Sequence, residues 1–201
     1  SDRRPAIRRH VMNGLSGLFT AWQLFLRKPG AISGLDNTVD TAKFSFRAAF
    51  YAFPFYWLMV GIGPEAVAST RGLLQTTLIH AVFYFLIWTM WPLVMWHLSR
   101  LVNKRDRFFR YLAAYNWSMV IQAAIWLASS AIILGFGLTG SAARMTTVLT
   151  ICIVVLYHIH ILREGLELGV MPAAALAGFK LILYQILLGT HQAALLQPPS
   201  P

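Results

Sequence analysis

Acidic residues are scarce in this sequence: seven Asp and Glu stand against seventeen Lys and Arg. Only one cysteine is present, Cys152, and it lies inside an apolar run, so an internal disulfide is excluded and neither a CxxC nor a Cys/His zinc pattern exists. No GxSxG, HExxH or Walker loop occurs, which leaves the chain without the common motifs for acyl hydrolysis, zinc proteolysis or nucleotide binding. Charged residues total 12%, about half the share in a soluble domain. The N-terminal apolar stretch is too polar and too interrupted for the h-region of a cleavable signal peptide.

Hydrophobic residues fill the space left by charge, at 57% of the chain with a mean hydropathy of +0.59. Two long apolar blocks, 75–98 and 109–135, flank a basic knot containing Arg100, Lys104, Arg105 and Arg107. A hydrocarbon core about 30 Å thick is crossed by roughly 20 helical residues, and each block supplies them. The net charge of +10 sits in short clusters between apolar stretches. That distribution points to anionic lipid head groups rather than nucleic acid, which would call for a basic stripe on one polar face.

The pattern predicts an all-α membrane protein, a bundle of five transmembrane helices with an N-terminal interfacial amphipathic helix. Residues 1–43 comprise a basic arm, the interfacial helix and a linker; 44–190 form the membrane domain; 191–201 are expected to be a disordered tail. In the interfacial helix Leu15, Leu18, Phe19, Trp22, Phe25 and Leu26 recur at helical spacing and would anchor it, until Arg27, Lys28, Pro29 and Gly30 stop it. The spans are expected near 44–62 (kinked at Pro54), 74–98, 109–134, 145–162 and 172–188. Fifteen of the seventeen basic residues then fall on one side, leaving Arg71 and Arg144 opposite. The positive-inside rule accordingly predicts that the N-terminus lies in the cytoplasm and the C-terminus outside.

Polar residues within spans are functional suspects because burying them in lipid is costly. His160, Glu164 and Glu167 follow i, i+4, i+7 and would share a helix face with metal-ligating chemistry, His158 lying close by. The plainer alternative places the two carboxylates at the water boundary, paired with Arg163, Lys180 or the basic knot. A membrane haem needs two facing histidines; His97 and His158 form one possible pair. Arg47 and Lys180 are expected to snorkel to the cytoplasmic boundary, or to join Arg100, Lys104, Arg105 and Arg107 in contacting lipid head groups or a partner. Asn116, Gln122 and Gln185 are explained by interhelical hydrogen bonds, and neither a carboxylate nor a broken helix is expected near mid-bilayer, where a transport path usually shows one. The pairs Ala173/Ala177 and Ala174/Gly178, and the ridge Ala124, Ala128 and Ala131, serve either packing within the bundle or docking of another membrane subunit. Trp88, Trp91, Trp96, Trp117 and Trp126 fit interfacial belts in part.

The stretch from Phe108, Phe109, Arg110, Tyr111 and Leu112 to Leu134, and the final pair of spans joined through Arg163, Glu164, Gly165, Leu166 and Glu167, resemble bacterial members of the Yip1-like family of polytopic membrane proteins. The eukaryotic branch of that family carries a DLYGP-type motif before its first span; here the region reads Gly34-Leu-Asp-Asn-Thr38, and no site residue is carried over. Residues 27–47 also look like small inner-membrane proteins of proteobacteria. The resemblance implies a non-enzymatic protein that works through lipids or partners. The leading expectation is therefore a non-catalytic accessory or scaffolding subunit without cofactor, binding lipid and a membrane-protein partner or a second copy. A small transporter or channel, with Arg47, Lys180 and residues 158–167 guarding a vestibule, is the alternative; a haem or metal redox protein is the third.

Overall fold

A computed structural model describes residues 14–62 and 71–196. The arm at 1–11, residues 63–70 and the tail at 197–201 lie outside the described residues. Within them the chain is helical and no strand occurs. The helices are α1 (Gly14–Phe25), α2 (Val39–Ser45), α3 (Ala48–Ile62), α4 (Leu73–Leu101), α5 (Phe108–Gly135), α6 (Gly140–Leu166) and α7 (Val170–Leu196), with 3₁₀ turns at Ala31–Gly34 and Arg105–Arg107.

Helices α4 to α7 are the four that are long and apolar enough to cross a membrane, as expected of an integral membrane protein. The segment anticipated as the first span is divided. Phe46 and Arg47 interrupt it between α2 and α3, where Arg47 N–H bonds Phe44 O and Phe50 N–H bonds Arg47 O in tightened i→i+3 turns. With 15 residues, α3 is about 22 Å long, short of a full crossing. The later helices exceed their expected limits, continuing through polar and charged residues as well as apolar ones: Ser99 and Arg100 in α4, Arg144, Arg163 and Glu164 in α6, Thr190 and Gln192 in α7. Most notably, α7 runs on to Leu196, so 191–196 are helical.

Three of the chain reversals share one device. After α1, α4 and α6 the backbone enters the left-handed region at Arg27, Asn103 and Glu167, each with φ near +50°. Lys28, Lys104 and Leu168 then donate their N–H groups back to Gln23, Ser99 and Arg163. These Schellman-type closures satisfy carbonyls that the helix end leaves open. Gly137 closes α5 similarly, in the turn that the glycines at 135, 137 and 140 announce.

The inner half of α5 is the hub. From Phe108 to Ser118 nearly every residue is buried, since α1, α2, α3 and α6 pack around it. Close approach comes from small residues: a Cβ on Gly17 would lie 2.3 Å from the Trp117 ring, and one on Gly165 would lie 2.9 Å from the Tyr111 backbone. Trp91 and Trp117 are accordingly core residues, 1% and 0% exposed, and Trp88 is buried too. This corrects their placement in aromatic belts. Pro92 lies buried inside α4, a helix interruption that the neighbouring helices tolerate.

Candidate functional site

The basic knot closes α4 and opens α5, so its charges gather at one end of the bundle. Arg105 lays its guanidinium over the Trp96 ring at 3.6 Å from the centroid, which fixes the charge on an aromatic plane. Arg107 reaches Glu167, the left-handed residue that ends α6, at 2.6 Å. Asn37 fastens the linker to this end: its Oδ1 accepts from Arg110 N–H at 2.9 Å and its Nδ2 donates to the Asp106 carbonyl. Arg100 and Arg47 are exposed, and Arg47 stacks over Phe44 at 4.6 Å.

Against this end lies α1. Its small and polar face, Gly17, Thr20 and Ala21 with Leu24, is buried on the bundle. Leu15, Phe19, Trp22 and Leu26 face outward, with Leu15 72% exposed; Leu18 and Phe25 are half-buried. The Tyr157 hydroxyl donates to the Ala21 carbonyl at 2.6 Å and its ring meets Phe25 edge-on. Trp117 and Tyr157 each lie nine residues inside their spans, so α1 sits about 13 Å along them from the basic end.

The sequence candidates for metal or haem are not brought together. His97 is exposed, whereas His158 is 2% exposed between the Trp91 and Tyr115 rings, with no hydrogen bond to either ring nitrogen. Glu167 is engaged by Arg107, and His160 and Glu164 are half-buried. Among the described residues no group of three His, Cys, Asp or Glu side chains is placed to hold a metal ion. Lys180 lies ten residues into α7, about 15 Å from its start, and rests its ammonium 4.6 Å from the Tyr115 centroid.

Of the mid-span amides, two serve the interior. Asn116 donates to Ser45 Oγ at 2.9 Å and Gln122 to Ser118 Oγ at 3.0 Å, all buried. Gln185 is different. It is exposed about halfway along α7, on a stripe with Met171, Ala175, Gly178, Ile182 and Gly189. Those positions alternate by four and three residues, the spacing of a helix–helix seam. Ala173 and Ala177 face inward and pack within the bundle, whereas Gly178 has open space around it.

Sequence reasoning missed one constellation, at the end far from the basic knot. His191 of α7 stacks on Phe83 and places Nε2 3.2 Å from His80 Nδ1 of α4; Tyr56 Oη of α3 lies 3.3 Å from that same nitrogen. The apolar run through Leu195 and Leu196 was the signal that the helix continues and carries His191 with it. No family model, curated protein or solved structure matches the chain.

Proposed function

We propose that this chain is a non-catalytic inner-membrane protein, an accessory or scaffolding subunit that binds another membrane helix and anionic lipid. The observation that carries the reading is Gln185. An amide on an outward face at mid-bilayer has no water to bond, so a partner helix offering a donor and acceptor would stabilise it. The surrounding stripe suits that partner, because Ala175, Gly178 and Gly189 permit close backbone approach.

In this reading α2 and α3 together make the fifth crossing, with the N-terminus in the cytoplasm and the C-terminus outside. The antiparallel pairing of α3 with α4, through Tyr84 to the Ala49 carbonyl and Tyr56 to His80, supports it. Helix α1 then lies in the cytoplasmic interface with Leu15, Phe19, Trp22 and Leu26 among the acyl chains. Arg47, Arg100, Lys104, Arg105 and Arg107 bind phosphate head groups beside it. The Yip1-like resemblance agrees with a protein that acts through lipids and partners.

The test is purification in gentle detergent with native mass spectrometry, for the natural chain and for Gln185→Leu. A stoichiometric membrane partner or second copy that the variant loses supports the proposal. A natural chain that runs alone, or a complex indifferent to Gln185→Leu, refutes docking at this face.

A further inference from the structure

We infer that His80, His191 and Tyr56 form a binding site for one divalent transition-metal cation, with two imidazole nitrogens and a phenol oxygen as donors. The inference is independent of docking at Gln185.

Three helices each contribute one donor. His80 Nδ1 is the common point, 3.2 Å from His191 Nε2 and 3.3 Å from Tyr56 Oη. Four-coordinate N/O sites have bonds of about 2.0–2.1 Å, which puts neighbouring donors about 3.3 Å apart. In the metal-free protein His80 Nδ1 already stands at that separation from each of the other two donors. In the metal-free state Tyr56 Oη also donates to the His80 carbonyl at 3.2 Å, which holds the phenol beside the imidazole until it gives up that proton to the site.

The donor chemistry selects the ion. Two imidazoles with a phenol suit copper(II) or zinc, whereas magnesium and calcium prefer all-oxygen shells. In the metal-free state one imidazole donates N–H to the other. Binding requires both facing nitrogens to present lone pairs, so each ring carries its proton on its other nitrogen, His80 on Nε2 and His191 on Nδ1. The neutral imidazoles thus release no proton; a phenolate ligand releases one, from Tyr56.

Position along the helices sets the depth of the site. His80 is seven residues after the start of α4 and His191 five before the end of α7, about 10 Å and 8 Å from those ends. Because α4 is about 43 Å long, both imidazoles sit close to the hydrocarbon boundary opposite the basic knot. His191 also borders a groove of about 280 Å³ between α4 and α7, lined by Leu78, Val82, Leu86, Leu187 and Ala194. Its apolar walls would shield the ion on the lipid side, while His80 and Tyr56 complete the polar side. Bound metal would join α7 to α3 and α4.

The test uses the full chain in detergent, purified on a histidine-free tag, stripped with chelator and titrated with copper(II) or zinc alone. One ion per chain is expected. His80→Gln and His191→Gln should each weaken binding by about tenfold or more. Tyr56→Phe, which preserves shape, should remove the visible phenolate-to-copper absorption, and His97→Gln/His160→Gln should change nothing. Circular dichroism would verify that each variant is folded. Absence of stoichiometric binding, binding unchanged in the His80→Gln/His191→Gln protein, or a copper absorption that survives Tyr56→Phe would overturn the assignment.

Discussion

Tyr157 and Ala21 are 136 residues apart in the chain, yet the phenol hydroxyl of one donates to the backbone carbonyl of the other at 2.6 Å. The bond is buried, and it ties α1 to the span α6. Tyr157→Phe keeps the ring on Phe25 and removes only the donor, at a cost of about 1 kcal/mol. The expected result is a lower melting temperature and faster tryptic cleavage after Arg27, which follows α1. Unchanged cleavage would mean that packing alone holds the helix.

Gly17 has no room for a side chain. A Cβ there would meet Trp117, a ring with no free surface and so no direction in which to yield. Gly17→Ala should destabilise the protein by about 1–3 kcal/mol, the usual penalty for overpacking. Gly135→Ala, at a position with open space, serves as the control and should be neutral or slightly stabilising. Comparable thermal shifts in the two variants would contradict the packing of α1 on α5.

The Asn116–Ser45 bond joins two fully buried side chains across α5 and α2. Asn116→Ala should cost about 1–3 kcal/mol, because Ser45 loses its donor and a cavity opens. Ser45→Ala should cost less. A double-mutant cycle is expected to give a coupling of about 0.6 kcal/mol or more, in the range found for interhelical bonds in membranes. Zero coupling would show that the two positions act separately.

Arg107 and Glu167 lie within 2.6 Å, but their side chains are 34% and 47% exposed. Water and salt screen such a pair, so Arg107→Ala should change stability by less than about 1 kcal/mol. Glu167→Gly gives up the same pair yet relieves a left-handed backbone with φ 52°. The glycine variant should therefore melt at or above the temperature of Arg107→Ala, as thermal denaturation in detergent would reveal.

Cys152 is exposed twelve residues into α6, near the middle of a span. A thiol facing acyl chains is reached poorly by charged reagents, which do not partition into hydrocarbon. In intact membranes a charged maleimide should leave it unmodified, and denaturation in detergent should make it reactive. Rapid labelling in the bilayer would place it beside water instead.

Hydropathy and charge by themselves determined the class, the four long helices and the end at which basic residues gather. Each depends on local composition: apolar runs of sufficient length, and Lys and Arg clustered at their junctions. Turn chemistry was legible in part, since Gly137 stands where α5 closes, but Arg27 and Glu167 carry no sequence mark of their left-handed backbones. Tertiary structure decided which face of each helix turns inward. Hydrophobic patterning does not fix this in a membrane, where lipid and core are both apolar, so Trp117 becomes core while Phe85 stays outside. The same choice turned Gln185 outward and Asn116 inward, although both read as mid-span amides. It also joined His80 to His191 across 111 residues of chain, a meeting that depends on how α4 and α7 pack.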